Sequence, residues 1–509
     1  MANTYSALVD DDHNMLIQSK WPRQRGDFIE YLRHEAEAVQ QLVVHHLSLR
    51  PHQTCSIAPH NDWLCGSYNV CIPVNIKDHP RVVVRLPFPH RFASNTSPEM
   101  ATEKIRGEAA TFAWLSSHCP NVPIPQFWGF GLPDGRSFTP LARAPWTRRL
   151  YEWLRRKLQQ GLLNVDCWRP FVPSPCSVHL STGYLIMDYI EPRQGSMLSA
   201  KWPSTDAGHR RNLFRSLANI LLDLMQVPLP RIGSFTVLNT GEVTLSGRPL
   251  TAALASLEAQ DICSDIPPGT TYSSADSYVD DLLHCHELRL RDQPNAVEGM
   301  LDAKGQMATV VVLKAVRSQF FDRKLRYGPF VLQFTDLHES NIFVDDQYNI
   351  TSIVDLEWCC SLPMEMQQPH FWLGGQEGND FLKDAQTETE AKFLTSYTDF
   401  LEILGSEQVS RCFCSKLPFD PKQIIESALE KKSHWYFAAV SHPRNAYSFL
   451  VDYIQPLFAP SHASPDEAGS FQDTFALYYA ANALDLIGNK IEEKEGYDLA
   501  LRALVEGDL

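Results

Sequence analysis

One segment, residues 331–358, constrains the fold more than any other part of this 509-residue chain. Within it, two short apolar runs flank a turn, Asp-Asp-Gln-Tyr-Asn, that begins at Asp345; this is the pattern of a β-hairpin. Such a hairpin brings Asn341, at its start, close to Asp355, at its end. Asp336 lies in the loop just before. The sequence therefore predicts three oxygen-bearing side chains at one place.

These three side chains suit phosphoryl transfer. Mg²⁺ takes few protein oxygens and several phosphate oxygens, so Asn341 and Asp355 are a suitable pair of metal ligands. Asp336, held short of the metal, can accept or orient the proton of an attacking hydroxyl and is the predicted catalytic residue. The alternative is a solvated hairpin in which Asp and Asn serve only the turns.

The amino-acid sequence of the segment resembles the motifs of a known superfamily. Phe-Thr-Asp-Leu-His-Glu-Ser-Asn at 334–341 and Val-Asp-Leu-Glu-Trp at 354–358 are similar to the aminoglycoside phosphotransferase and choline kinase-like superfamily, and more narrowly to fungal proteins carrying this domain. Asp336 and Asn341 also have the spacing of the protein-kinase catalytic loop. The chain departs from the family at Phe334, where the family has His.

The resemblance covers roughly residues 55–400 and implies an α+β, bilobal protein kinase-like fold, with a small β-rich N-lobe and a large, mainly helical C-lobe. Hydrophobic periodicity and turn signals place the boundaries. We expect a helical N-terminal extension at 1–54, an N-lobe at 55–190 with an insertion near 133–180, and a C-lobe at 191–509 containing the catalytic loop 334–341 and the metal-binding strand 350–358.

The resemblance also implies a nucleotide site, for ATP, in the small lobe. Arg85 ends an apolar strand, and an Arg fork can grip phosphate oxygens. Glu108, on the following helix, is its expected partner, and Glu103 is the competitor. An exposed strand-end Arg and a solvated helix face remain the alternatives.

Four further residues complete the predicted nucleotide site. Gly66 and Ser67 lie in a turn between two strands and are expected to cover the phosphates. Met187 and Tyr189 lie on a strand that resembles the hinge, whose backbone hydrogen-bonds adenine. Two more residues, His338 and Glu357, are candidates for a supporting or acceptor-side role.

The charge and composition of the chain limit the classes of molecule that it is expected to bind. The formal net charge of -15 makes nucleic acid a poor partner. The same field would attract a cationic acceptor, although it equally serves solubility. Asp10, Asp11 and Asp12 argue against a targeting peptide, no apolar run is long enough to span a membrane, and 12 scattered cysteines fit a reducing cytoplasm.

The sequence therefore predicts an ATP- and Mg²⁺-dependent phosphotransferase acting on a small-molecule hydroxyl. A pseudokinase or nucleotide-binding scaffold is the alternative, favoured by Phe334 and the single glycine of the Gly66 turn. A protein kinase is disfavoured because the three-glycine loop is missing. Three acidic residues after the metal strand, Glu365, Glu377 and Asp380, are candidates to face a cationic acceptor or to form a solvated surface.

Overall fold

An antiparallel sheet dominates the first part of the chain. The computed structural model describes residues 8–9, 11–92, 97–163, 168–202, 206–367, 369–375, 387–413, 419–460 and 465–506. The sheet has the strand order β1-β3-β4-β8-β5-β6-β7, with β2 paired to β3. Its strands are β1 Cys55–Ile57, β2 Leu64–Cys65, β3 Asn69–Ile76, β4 His79–Pro87, β5 Phe127–Gly131, β6 Ser137–Pro140, β7 Phe171–Pro173 and β8 Tyr184–Asp188.

The central hairpin of this sheet follows directly from the sequence. Val82, Val83 and Val84 are β-branched and buried, as expected for a strand covered on both faces. Asp78 turns the chain between β3 and β4 with a φ of 59°, a left-handed conformation that Asp tolerates. The register pairs Arg85 with Cys71, so the predicted cation lies in the middle of the sheet.

Shorter strands lie in the second part of the chain. They form two-stranded and three-stranded sheets, in the pairs β10-β11 and β12-β15 and in the order β14-β13-β9. These strands are β9 Ser196–Met197, β10 Ser234–Val237, β11 Val243–Gly247, β12 Phe330–Phe334, β13 Ile342–Val344, β14 Ile350–Ile353 and β15 Cys359–Pro363.

Helices make up most of the remainder. Among the described residues, no helix is both long enough and apolar enough to cross a membrane. The helices are α1 Met15–Gln18, α2 Trp21–His34, α3 Ala36–Leu47, α4 Ser97–His118, α5 Trp146–Leu163, α6 Ala207–Met225, α7 Ala252–Glu258, α8 Ala275–Asp292, α9 Met300–Phe320, α10 Thr387–Ser410, α11 Pro421–Glu430, α12 Ser433–Ser441, α13 Ala446–Phe449, α14 Gln455–Phe458, α15 Pro465–Ala476 and α16 Ala483–Glu506.

Helix α4 is the helix that positions the site. Its apolar residues Ile105, Ala109, Phe112 and Leu115 recur every three or four positions and are fully or almost fully buried. They pack in the main core together with residues of β5 and β8, so α4 lies against the sheet. A β-rich region and a large helical region are thus present, which confirms the predicted α+β, bilobal architecture.

The N-terminal segment contacts both regions. Leu8 packs with Tyr497 and Leu501 of α16, while Phe28 and Leu32 of α2 pack in the core formed by β3 and β4. Residues 11–18 therefore lie on the helical lobe, and α2 and α3 lie on the sheet.

Three elements of the structure differ in detail from those predicted from the sequence. Strand β14 ends at Ile353, so Asp355 and Glu357 lie in a loop and not on the predicted metal-binding strand. The reason is local, because Asp355 has a φ of 64°, which no strand can accommodate. Strand β8 ends at Asp188, one residue before Tyr189. The predicted insertion near 133–180 contains β6 and β7, which extend the main sheet.

Candidate active site

The predicted catalytic loop begins at the end of β12, at Phe334, and leads into the β13-β14 hairpin, which belongs to a separate small sheet. A short 3-10 turn, Glu339–Asn341, directly precedes β13. Asn341 donates from Nδ2 to the backbone oxygen of Asp336 at 3.0 Å, and its own backbone oxygen accepts from the Val354 amide at 3.0 Å. Asn341 is therefore fixed between the loop that carries Asp336 and the loop that carries Asp355.

His338 belongs to the same loop. Its Nδ1 accepts a hydrogen bond from the Ser340 amide at 3.3 Å, and its Nε2 lies 3.1 Å from Nδ2 of Asn341. The hydrogen bond from the Ser340 amide stabilises the turn that presents Asn341.

Thr335 provides a brace that the sequence did not suggest. Its hydroxyl donates to the backbone oxygen of Trp358 at 2.6 Å, which joins the catalytic loop to the loop holding Asp355. The family resemblance implies such a brace from the His whose position Phe334 takes. Phe334 itself is buried and pairs with Cys359 across β12 and β15. The neighbouring hydroxyl thus makes a connection of the same kind.

Arg85 lies at the centre of a buried ionic cluster. Its Nη2 is 2.5 Å from Oδ1 of Asp355 and 2.8 Å from Oε2 of Glu357, and its Nη1 is 3.4 Å from Oε1 of Glu108. The competitor Glu103 instead binds Arg248, at 2.9 Å. Arg85 thus contacts the expected helix acid, but it also contacts two acids of the large lobe.

Lys104 is the site residue that sequence reasoning missed. It is buried, and its Nζ lies 2.9 Å from Oε2 of Glu357 and 3.0 Å from Oδ1 of Asn69. Asn69 also donates to Glu357, at 2.9 Å. Lys104 precedes Glu108 by one helical turn, so the two share a face of α4, and this spacing was the available signal. Glu357 is therefore held by two cations and an amide.

Burial and these partners set the protonation of the acids. Burial raises the pKa of Glu108 to about 8, against the opposing effect of Arg85. Burial also acts to raise the pKa of Glu357, but Lys104 and Arg85 outweigh it and lower this pKa. The two acids differ because Glu357 accepts short hydrogen bonds from both cations, whereas the ion pair of Glu108 with Arg85 is longer, at 3.4 Å.

Asp336 and Asp355 lie in surroundings that disfavour the charged form of a carboxyl group. Burial, together with the charges of Asp355 and Glu357, raises the pKa of Asp336 to about 7. Burial also raises the pKa of Asp355, against Arg85. A carboxyl group with a pKa near neutrality can both take up and release a proton under physiological conditions.

Asn341 and Asp355 fit a magnesium ion by their chemistry. Both loop contacts of the Asn341 side chain use Nδ2, which leaves its amide oxygen for a cation. Arg85 contacts Oδ1 of Asp355, and the Asp355 side chain keeps 27% of its surface exposed. One amide oxygen and one carboxylate are hard oxygen donors of the kind that Mg²⁺ takes beside phosphate oxygens.

The turn at Gly66 and Ser67 lies above this cluster. The Gly66 amide donates to the backbone oxygen of Asn69 at 3.0 Å, and the backbone oxygen of Ser67 accepts from Nε of Arg91 at 2.7 Å. The next residue, Tyr68, packs edge-on against Trp358 with ring centroids 5.2 Å apart. The turn therefore reaches the loop that carries Asp355.

Met187 and Tyr189 are not brought to the ionic cluster. Met187 is buried in β8, and its backbone pairs with Val83 and Phe127 on either side. The Tyr189 amide donates to the backbone oxygen of Arg81 at 3.1 Å, so the sheet already uses this donor. Any contact of these two residues with adenine must therefore involve other atoms.

A cavity of about 510 Å³ opens beside Asp336. Asp336 and His338 line it together with aromatic side chains, among them Tyr278, Trp372 and Phe449. Trp372 also holds the loop, because its Nε1 donates to the backbone oxygen of Leu337 at 2.9 Å. The cavity is an aromatic-walled space next to the predicted catalytic carboxylate.

Of the acidic residues proposed for the acceptor side, Glu365 is described by the structure, and it does not line this cavity. Glu365 is buried elsewhere and accepts from the Asp322 amide at 3.0 Å, and burial raises its pKa to about 7. Glu377 and Asp380 lie outside the described residues.

Comparison with solved structures finds chains of similar kind. An aminoglycoside phosphotransferase, APH(4)-Ia, in complex with AMP-PNP and hygromycin B, is 10% identical, with 87% of this chain and 99% of that chain covered and a TM-score of 0.37. An ethanolamine kinase of Plasmodium vivax is 13% identical, with 88% of each chain covered and a TM-score of 0.37.

A third solved structure similar to this chain is a macrolide phosphotransferase. The macrolide 2'-phosphotransferase MphH of Brachybacterium faecium is 13% identical, with 86% of this chain and 97% of that chain covered and a TM-score of 0.34. No match was found among curated proteins.

A family match covers just under half of the chain and includes the catalytic loop. Residues 136–365 match the family described as "Phosphotransferase enzyme family". The match contains Asp336, Asn341, Asp355 and Glu357, the residues on which the resemblance was based, and it agrees with the predicted enzyme class. This part of the chain is thus similar to the phosphotransferase enzyme family (APH), in agreement with the resemblance seen in the sequence.

Proposed function

We propose that the protein transfers the γ-phosphoryl group of ATP, with Mg²⁺, to a hydroxyl group of a small molecule. The observation that supports this most directly is the arrangement of Asp336, Asn341 and Asp355. Two of them offer oxygen ligands, and the third lines a cavity of substrate size.

In this proposal each residue has a distinct task. Asp336 accepts the proton of the acceptor hydroxyl, a task suited to a carboxylate whose pKa is raised to about 7. Asn341 and Asp355 would hold the metal, which when bound offsets the charge of the phosphate oxygens. His338 stabilises the turn that carries Asn341.

In this proposal Arg85 has a broader role than the one predicted from the sequence. Arg85 would bind the nucleotide phosphates, and it also orients Asp355 and Glu357 through contacts of 2.5 and 2.8 Å. Lys104 supports the same arrangement by holding Glu357 from the other side, at 2.9 Å. The phosphate-covering role of Gly66 and Ser67, the adenine-binding role of Met187 and Tyr189, and a cytoplasmic location remain predictions.

A pseudokinase is the second candidate, and Phe334 is the residue that favours it. The bond from Thr335 to Trp358 opposes it, because the two loops are joined without the family His. A scaffold without transfer would bind ATP and leave every acceptor unchanged.

The experiment that separates these functions measures binding and transfer on the same full chain. Thermal unfolding is recorded with Mg²⁺ and ATP, and phosphorus NMR follows transfer to a panel of alcohols and amino-alcohols. We expect both a stabilising shift and a phosphorylated product, and Asp336→Asn should abolish the product while leaving the shift. Asp346→Asn is the matched control, since Asp346 is an exposed carboxylate on the same hairpin.

Each negative result has one meaning. A shift without product for any acceptor indicates the pseudokinase. Neither a shift nor a product, from a protein that unfolds cooperatively, overturns the proposed function altogether.

A further inference from the structure

A second cavity, of about 600 Å³, adjoins the one beside Asp336. The two share lining residues, among them Ala252, His442 and Asn445. Tyr68, from the turn above the ionic cluster, lines the second cavity as well. Tyr68 also packs against Trp358, so it connects the wall of the second cavity with the loop that carries Asp355.

Two arginines line this second cavity without a carboxylate partner. Arg289 is only 3% exposed; its Nη1 donates to Gln306 at 2.8 Å, and its buried Nε has no hydrogen-bond partner among the described residues. Arg444 donates from Nη2 to the hydroxyl of Ser256 at 3.2 Å. Within the described part of the chain, neither arginine forms an ion pair.

Burial without a carboxylate partner disfavours the charged form of both guanidinium groups. Burial lowers the pKa of Arg289 to about 10 and also lowers that of Arg444, although Asp12 acts in the opposite direction on both. Because both arginines line the cavity and neither has a carboxylate partner among the described residues, an anionic oxygen bound there can pair with a guanidinium group.

The two acidic residues that line the cavity, Asp11 and Asp12, form no ion pair with either arginine in the described part of the chain. Asp11 pairs with His13 at 2.7 Å. The backbone oxygen of Asp12 accepts from the amide of Gln293 at 2.7 Å, which fixes this part of the N-terminal segment at the cavity wall. Asp11 and Asp12 therefore close one side of the space without neutralising the arginines by direct contact.

We propose that this second cavity binds an anionic group of the acceptor through Arg289 and Arg444, while the apolar body of the acceptor occupies the aromatic cavity and its hydroxyl lies at Asp336. The acceptor class is thus a hydroxylated, largely apolar compound with a carboxylate or similar anionic oxygen group. This rests on the proposed function for the hydroxyl end only. It replaces the cationic acceptor that the overall negative charge suggested.

The test uses three probes that differ only in the charge at one end: para-(hydroxymethyl)benzoate, its primary amide, and para-(hydroxymethyl)benzylamine. Binding to the full chain is measured calorimetrically without nucleotide. We expect the carboxylate to bind roughly tenfold tighter than the amide, since hydrogen bonds between charged groups exceed neutral ones by that order. Equal affinities, or tighter binding of the amine, overturn the proposal.

Single substitutions test whether Arg444 causes the preference for the carboxylate probe. Arg444→Gln should remove the preference for the carboxylate, and Arg444→Lys should retain part of it. Arg215→Gln is the control, because Arg215 pairs with Glu407 at 3.2 Å on the exposed face of α6 and should keep the full preference. Asp12→Asn should raise carboxylate affinity several-fold by removing a nearby negative charge, a gain that loss of folding cannot imitate. A preference unchanged in Arg444→Gln overturns the proposal.

Transfer is measured separately with ATP and Mg²⁺. Carboxylate binding that depends on Arg444, without any phosphorylated product, supports the anion cavity and overturns the proposed function. Product formed from the amide or amine in preference to the carboxylate supports the function and overturns the anion cavity.

Discussion

The hydroxyl of Thr335 and the backbone oxygen of Trp358 form a hydrogen bond of 2.6 Å that joins the two loops of the candidate site. Through it, the loop carrying Asp336 is tied to the loop carrying Asp355, in a chain that lacks the family's His at Phe334.

Replacing Thr335 with Val, which has a similar shape, should therefore lower transfer more than it lowers stability. Loss of one hydrogen bond costs about 1 kcal/mol in the free energy of unfolding. The turnover number should fall by more than tenfold, because the relative position of the two carboxylates is no longer fixed. Thr351→Val is the control, since the buried Thr351 hydroxyl has no partner among the described residues. Equal losses of activity in both variants would contradict this role.

Lys104→Met should destabilise the protein strongly. Glu357 would keep Arg85 and Asn69 but lose a cation at 2.9 Å in a buried position. Breaking one partner of a buried ion pair typically costs about 3–5 kcal/mol. Urea unfolding measures the loss, and Lys77→Met, at an exposed turn position, should stay within about 0.5 kcal/mol of the parent. The double variant Lys104→Met with Glu357→Gln should recover part of the loss, and failure to recover would argue against this pair.

The raised pKa of Asp336 makes a prediction about stability and pH. In the unfolded chain Asp336 loses its proton near pH 4, whereas in the folded chain it does so at about 7. Between these values the folded state binds more protons, so this residue's contribution to stability falls as pH rises and is constant above that window. Asp336→Asn should therefore gain stability relative to the parent from pH 4 to 7. Thermal unfolding without Mg²⁺ tests this, and a difference that shrinks with rising pH would contradict it.

The N-terminal segment should detach when its anchor is removed. Asn295 donates to the backbone oxygens of Asp11 and His13 at 3.1 and 2.8 Å. Asn295→Ala removes both bonds, so hydrogen exchange of residues 11–18 should accelerate while that of the β3-β4 hairpin stays slow. Asn75→Ala, at an exposed strand position, is the control and should change neither rate. Unaltered exchange in Asn295→Ala would show that other contacts hold the segment.

The fold could be predicted further than the site. The β-hairpin around Asp345 follows from alternating apolar runs and turn residues, and the family match contains it. Lys104 could not be found in the same way, because a helical period shows which residues share a face but not which polar one is buried. The left-handed backbone at Asp355 also leaves no mark in composition. The cavity arginines come from elements far apart in sequence, so only tertiary packing brings Arg289 and Arg444 together.

The N-terminal segment gives the two lobes a second attachment. Residues 11–18 are held on the helical lobe, whereas the next residues, in α2, are packed on the sheet. A bilobal protein joined at one strand can open in any direction about that strand. With two attachments, opening is restricted to rotation about the line that connects them, so the molecule is expected to admit its ligands by a swing about a single axis.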